Sequence, residues 1–551
     1  MISYKSDKFT DEQIKDILSY YVSNIDKPIF YVYDTLPDEQ WATLAGAYSR
    51  THIGFRQRLL KAIEDDDFSA EEILVAVKND KEKKEDSKIQ EKARKFIQKW
   101  VQDYGHNSLK ELSHARICIE GVSDLVASDI VGRRLTSPIV KSTRYIDWTN
   151  VLDNNFIDKD IANSKYAEEY SQTLKDLHNA YIECTEKVSK YVEESNKDYF
   201  TELMNETPED NKDVVKLGFK KACKGKSFDA SRYLLVPSMP TSMALSMNLR
   251  TLEYMITRLL SSPLKEANEV GQMLLDEGRE SVFPVFLGEK CHSKRDENLI
   301  DIENRLFDFV KNNFSFEKEE NFEVTDRVEM QPNRVLDDAY ITASIAYKYS
   351  NGSFTQVYDE IKNNPDFVEK IMDIAYKDKD RFTPTLREVE HSGSITFETL
   401  MDYGGYRDIH RHRMGTLTRQ NSNTFHGYET PSLVIESGCE EIYQKAMKKA
   451  DIFYKKIYKD FPYQAQYIVP YAYKYRTMYS WNPRQIQYFV ELRSAPQGHE
   501  SYREIAQELH EKMAKKLPYF CKYIGCNREE VKLGRLNQAI KYFKKKKDGK
   551  I

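Results

Sequence analysis

Two guanidinium groups and an imidazole stand within three residues at Arg411-His412-Arg413, and Arg407 and His410 extend the cluster. Guanidinium presents a planar fork of donors that suits phosphate and carboxylate oxygens. An exposed basic turn also accounts for the tripeptide taken alone. Ser142-Thr143-Arg144-Tyr145 supplies two hydroxyls, backbone N–H groups and a guanidinium close together. Such a set can hold the phosphate of a small ligand. Asn482-Pro483-Arg484 precedes Arg493 on a predicted helix. Asn offers an amide pair for a heterocycle edge, although ordinary helix capping by Asn482 with Pro in the first turn explains the same residues. The chain lacks H-E-x-x-H, G-x-S-x-G and G-x-x-x-x-G-K-[ST], and Gly404-Gly405 is a lone pair without a dinucleotide fingerprint. His106 and His114 have no carboxylate spacing that suggests a metal. The chemistry on offer is rich in donors and poor in acids and thiols. It suits an anionic, phosphate-bearing ligand and places no covalent nucleophile.

These residues sit in an internal repeat. Asp129-Ile-Val-Gly132-Arg133-Arg134 leads to Ser137, Ser142, Thr143, Arg144 and Tyr145, and Asp408-Ile-His-Arg411-His412-Arg413 leads to Thr416, Asn421 and Asn423. Each segment is followed by an amphipathic helix. One is predicted over 163–192, with Tyr166, Tyr170, Leu174, Leu177 and Tyr181 on one stripe; the other over 440–458, with Tyr443, Ala446, Met447, Ala450, Tyr454 and Ile457. Each helix leads to a proline, Pro237 or Pro470. An Asn-x-Arg follows, Asn248-Leu-Arg250 after 11 residues or Asn482-Pro-Arg484 after 12, and then an aromatic-bearing helix. Order and spacing agree across four elements, so the chain reads as two diverged copies of one domain.

Length alone, 551 residues, suggests three or four domains at roughly 100–200 residues each. The repeat reduces this to a helical extension over 1–94, a first copy over 95–290, a connecting segment over 291–379, a second copy over 380–530 and a basic tail over 531–551. Within the extension, Phe30 to Tyr33 reads as strand, Trp41 to Ile63 as helix and 78–98 as a solvated charge run. The connecting segment opens as a polar join, and the tail, with Lys544 to Lys547, reads as frayed. Lys+Arg is 83 and Asp+Glu 88, a net charge of −5, which argues against a nucleic-acid coat. Seven scattered cysteines without a C-x-x-C pair read as reduced thiols. The polar start has no signal-peptide core and no run approaches 18 apolar residues, so the expectation is a cytoplasmic protein without a membrane span.

The motifs resemble those of the flavin-dependent thymidylate synthases, whose signature is R-H-R-x-x-S-x-x-x-x-S-x-R-Y. The second copy keeps Arg411, His412 and Arg413 but has Thr416, Asn421 and Asn423 downstream. The first has Gly132-Arg133-Arg134 in that slot and keeps Ser137, Ser142, Arg144 and Tyr145. Gly105-His106-Asn-Ser108-Leu-Lys-Glu111 and Ile119-Glu-Gly-Val-Ser123 are similar to the family's G-H-x-S-x-x-E and I-E-G-V-S. The family's N-A-R-S-L-x-x-F-x-x-L-R is matched from Asn482 to Arg493, while the first copy has Leu259 where the last Arg belongs. An earlier family Arg is matched by Arg232 and replaced by Gln466 in the second copy.

The resemblance implies a helix-rich α+β fold in two tandem copies forming a pseudo-dimer, with one intact composite site and one dead one. It implies FAD as cofactor, NADPH as reductant, methylenetetrahydrofolate as one-carbon donor and reductive methylation of dUMP to dTMP. His106, Ser108, Arg411, His412, Arg413, Asn482 and Arg484 would hold the cofactor. Ser142, Thr143, Arg144, Arg232, Asp408 and Arg493 would hold a pyrimidine deoxynucleotide monophosphate, and Arg493 with Arg411 would be catalytic. Neither nucleic acid nor metal enters, and the tandem chain is expected to form a homodimer. Asp129 and Asp408 stand where the family usually has Gln. A carboxylate accepts but does not donate. It either suits another pyrimidine edge, such as the amino group of dCMP, or pairs with Arg407 or Arg411. A non-catalytic nucleotide- or flavin-binding protein is the third reading.

Overall fold

A computed structural model describes residues 4–65, 75, 110–149, 155–284, 286–287, 295–313, 326–330, 336–377, 385–530 and 533–548. The principal elements are, in chain order, α1 (Asp11–Tyr21), β1 (Ile29–Tyr31), α2 (Asp38–Tyr48), α3 (Phe55–Glu64), β2 (His114–Ser123), α4 (Asp124–Val131), β3 (Thr136–Val140), α5 (Ala167–Ser195), α6 (Lys212–Ser231), β4 (Pro240–Asn248), α7 (Leu249–Leu260) and α8 (Lys265–Glu277). There follow β5 (Val328–Met330), α9 (Asp338–Tyr347), α10 (Phe354–Asn363), α11 (Pro365–Tyr376), β6 (Ile395–Asp402), α12 (Tyr403–Ile409), β7 (Thr416–Arg419), α13 (Glu440–Ile457), β8 (Lys474–Trp481), α14 (Pro483–Arg493), α15 (Glu500–Ala514) and α16 (Leu536–Lys547).

Two antiparallel sheets share one plan. The first has strand order β1-β2-β4-β3 and the second β5-β6-β8-β7. In each, the long central pair is followed by a capped helix. Ser123 ends β2 and accepts from Val126 N, whereas Asp402 ends β6 and accepts from Gly405 N. The repeat read in the sequence is therefore a repeat of topology, and the fold is the helix-rich α+β kind.

The chain packs as two compact units, and each draws on both halves of the sequence. One comprises Met1–Lys175, Val236–Glu320 and Ile457–Ile468; the other Asp176–Leu235, Asn321–Lys456 and Val469–Ile551. In the first unit Phe30, Cys118 and Ala244 join α1–α3 in one apolar core. The extension is thus part of a folded body, and its β1 pairs with β2, Phe30 opposite Cys118. In the second unit Tyr443, Met447, Ala450 and Tyr454 are buried along α13, as their spacing requires. Burying a side chain such as that of Met447 is worth about 1.5–3 kcal/mol.

Two expectations are corrected. The stretch 291–330, expected as a polar join, holds a helix over Glu297–Asn313 and ends in β5, which pairs with β6 at the sheet edge. The C-terminal stretch is not a frayed tail. Its Lys-rich α16 buries Leu536 and Ala539, and a Cβ on Gly218 of α6 would lie 2.7 Å from Ile540 Cγ1. Gly218 permits that approach, and the lysine run is only the outer end of an amphipathic helix. The charge run at 78–98 lies outside the described residues.

Candidate active site

The basic cluster is built on the β6–α12 junction of the second unit. Asp402 is buried; it accepts from Gly405 N at 2.6 Å and from the Ser501 hydroxyl. Burial pushes its carboxyl above the ordinary aspartate value, against the pull of those two hydrogen bonds. A Cβ on Gly405 would stand 2.7 Å from Ser501 Oγ, and one on Gly404 3.4 Å from Arg232 Nε. The glycine pair is there for close approach.

Arg232 reaches this junction from the far end of α6. Its guanidinium, 1% exposed, donates to Gly404 O at 3.1 Å and lies 3.7 Å from Asp408 Oδ2. Asp408 Oδ1 lies 4.0 Å from Arg493 Nη1. Arg493 Nε in turn donates to His412 Nε2 at 2.9 Å, and His412 Nδ1 meets the Gln485 amide at 3.1 Å. A single chain of contacts thus runs Gly404, Arg232, Asp408, Arg493, His412, Gln485, across residues far apart in sequence. Asp408 does pair with arginine, as the sequence suggested, and Arg232 and Arg493 are among its partners. Its charge also reaches Arg411.

His412 is buried against Trp481 and Phe489, with ring centroids 5.8 and 5.1 Å away. Burial, and then the Arg493 charge, hold its pKa well below the ordinary histidine value. His410 is neutral for a similar reason. Burial and the Arg411 charge push it down to about 3, its Nδ1 donates to Tyr406 O at 3.0 Å, and its buried Nε2 has no hydrogen-bond partner. Arg411 stays open to solvent, with Nε donating to Arg407 O at 3.3 Å. Arg413 is half-buried, and burial followed by the Arg411 charge lowers its pKa.

Asn482 does cap a helix. Its Oδ1 accepts from Gln485 N at 2.8 Å, with Pro483 in the first turn, and Asn248 caps α7 in the same way. The Asn482 side-chain N–H pair is not used by the cap. Arg484 Nη1 donates to Glu390 Oε1 at 2.5 Å.

The first unit holds the other predicted residues. Ser142 Oγ accepts from Arg144 N at 3.2 Å in a tight local turn, and Thr143 and Arg144 are buried. Lys141 beside them donates to His52 O at 2.8 Å, and burial lowers its pKa. The positions matching the basic cluster are spent otherwise. Asp129 lies 3.9 Å from Arg133, and Gln466, where the second unit has Arg232, donates to Tyr463 O at 3.1 Å. His106 and Ser108 lie outside the described residues.

Sequence reading missed Gln485, the Gly404 carbonyl and the Asp402–Ser501 contact. Gln485, Phe489 and Arg493 recur at i, i+4 and i+8 on α14, one face, and all three meet His412. That spacing was the available signal.

Among the described residues no group of three or more His, Cys, Asp or Glu is disposed to hold a metal, and no helix is long and apolar enough to cross a membrane. A UPF0159 protein of Chlamydia muridarum is 29% identical over 556 residues, covering 98% of this chain and 99% of its own. A Chlamydia pneumoniae relative is 29% identical over 557 residues, covering 98% of each chain. One from Thermoplasma acidophilum is 24% identical over 472 residues, covering 82% of this chain and 92% of its own. Among solved structures, the UMP/dUMP methylase PolB from Streptomyces cacaoi, bound with 5-Br dUMP, aligns with TM-score 0.29 and 14% identity, over 37% of this chain and 95% of its own. The profile of the family described as thymidylate synthase complementing protein matches residues 58–285 and again 335–519, well over half of the sequence, and the chain belongs to that family.

Proposed function

We propose that the chain is a flavin-dependent thymidylate synthase-like enzyme that methylates dUMP to dTMP, with methylenetetrahydrofolate as one-carbon donor and NADPH as reductant. The observation that carries this reading is the contact chain from Arg232 through Asp408 and Arg493 to His412, with Arg411 alongside. Asp408 lies against Arg232 and Arg493 and its charge reaches Arg411, so guanidinium groups outnumber the carboxylates near them, Asp408 and Asp402. The surplus positive charge favours an anionic nucleotide over a neutral ligand.

Arg493 is aimed by its contacts with His412 and Asp408. A fixed cation stabilises negative charge developing on a uracil ring without reorganising at the moment of reaction. Neutral His412 accepts from Arg493 and does not compete for that charge. Asp408, shared between two arginines, is committed to positioning them, which favours dUMP over dCMP. The donor set of Arg411, Arg413, Arg484 and the Asn482 amide fits a diphosphate-bearing cofactor, and the buried, unpartnered His410 Nε2 offers one acceptor. FAD, when bound, supplies the reducing equivalents for the transfer. The proposal gives Ser142, Thr143 and Arg144 to the nucleotide phosphate, and His106 and Ser108 to the cofactor, on their retained motif spacing alone.

The test is the purified full chain. It should carry flavin absorption, bind dUMP more tightly than dCMP, and form dTMP with methylenetetrahydrofolate and NADPH. Arg493→Ala and Arg411→Ala should each abolish turnover. Colourless protein that FAD does not reconstitute, with no thermal shift on adding dUMP or dCMP, would overturn the proposal.

A further inference from the structure

We infer that Gln485 is a positioning residue: by fixing which nitrogen of His412 carries the proton, it aims the Arg493 guanidinium. The inference rests on the proposed nucleotide chemistry for its functional consequence, but its geometry stands apart from that reading.

Hydrogen-bond accounting carries the argument. Arg493 Nε–H is a donor, so His412 Nε2, 2.9 Å away, must be the acceptor. A neutral imidazole has one N–H, which must then sit on Nδ1. The Gln485 Nε2 placed 3.1 Å from Nδ1 would set one donor against another, so the amide is turned over and its carbonyl oxygen accepts that proton. A doubly protonated ring would set an N–H against the Arg493 N–H. The groups facing the ring are Arg493, Gln485 and the phenol of Tyr488 of α14, Asp408 of α12, and Arg413 and His410 beyond it. Asp408 is the one carboxylate among them, and it is drawn to Arg232 and Arg493. An amide at 485 supports the neutral ring. A carboxylate there would favour the charged ring and turn Nε2 into a donor. Gln485 is buried and sits one turn before Phe489, which closes the same ring edge-on at an interplanar angle of 85°.

The test uses full-length protein with 15N-labelled histidine. In wild type, His412, assigned with His412→Asn, should show a protonated Nδ1 and a bare Nε2. In isosteric Gln485→Glu the ring should become doubly protonated near neutral pH, and in Gln485→Leu the proton should move to Nε2. For turnover, either variant should lose about a hundredfold in kcat, the scale of a misplaced catalytic group, with KM for dUMP nearly unchanged. Activity of Gln485→Glu should climb again as pH rises and the ring deprotonates, a step absent from wild type. A wild-type ring protonated on Nε2, or an unchanged tautomer in both variants, overturns the inference even if the enzyme makes dTMP. The expected tautomers in a chain that makes no dTMP would uphold it and refute the proposed reaction instead.

Discussion

Arg232→Gln converts the second unit to what the first already has at the matching position, Gln466. The wild-type guanidinium is 1% exposed and makes two contacts. The pair with Asp408 at 3.7 Å is worth about 4.5 kcal/mol gross at an effective dielectric of about 20. Desolvating the arginine subtracts much of that. Its charged hydrogen bond to Gly404 O contributes about 1.5–3 kcal/mol. Asp408 keeps Arg493 and is 15% exposed, so it is not stranded as a fully buried charge would be. The net loss is therefore placed at about 2–3 kcal/mol, at or below the lower end for a broken buried pair. Hydrogen exchange of the full chain reads this directly. Amides of β6, α12 and β8 that exchange by opening of the second unit should do so about 30- to 150-fold faster, at 1.4 kcal/mol per factor of ten. Amides of β2 and β4 should not change. The same variant should lose dUMP binding. Unchanged exchange in β6, α12 and β8, together with wild-type dUMP affinity, would refute the assignment of Arg232 as the support of this junction.

Acid should weaken the second unit. His410 and His412 have folded pKa values far below 6.5, so below pH 6.5 the unfolded chain binds protons that the folded one excludes, and stability falls with pH. The slope is up to about 1.4 kcal/mol per pH unit for each ring, and His410→Asn should remove one share in urea titrations between pH 6.5 and 5. Asp402 acts oppositely. Its raised pKa makes the folded state the better proton binder above the ordinary value of 3.8, so its contribution is lost as pH rises through the folded pKa, and Asp402→Asn should flatten that fall. Asn482→Asp should retain the α14 cap and stability, whereas Asn482→Ala should cost about 1 kcal/mol; both should weaken FAD binding, measured by fluorescence titration. Gly415→Ala would place a Cβ 1.9 Å from Trp481 Cδ1 and 2.8 Å from Ser480 O, so it should destabilise by about 1–3 kcal/mol in urea and disturb His412 through Trp481.

The site was partly legible because donors advertise themselves. Arg411-His412-Arg413 and the Asn482 to Arg493 spacing pointed to His412 and Arg493, which meet. Asp408 was legible as a paired acid, but its contact with Arg232 was not, since Arg232 lies far from it in sequence. The amphipathic stripes of α5 and α13 were equally plain, because a period of 3.6 is a local property. The Lys-rich end misled, since the charges of α16 face outward while Leu536 and Ala539 carry its packing.

Sequence by itself determined the family, the two-copy plan and the loss of the Arg-His-Arg set from the first copy, because residue type and spacing survive in one dimension. Only the tertiary structure decided which copy's residues meet. It put Arg232, from the first half of the chain, beside Asp408 of the second, and Gln466 in the opposite unit. It also set Arg493 Nε as the donor to His412 Nε2. Both outcomes depend on contacts between segments far apart in sequence, 81 residues for Arg493 and His412, and no local pattern encodes the direction of a hydrogen bond.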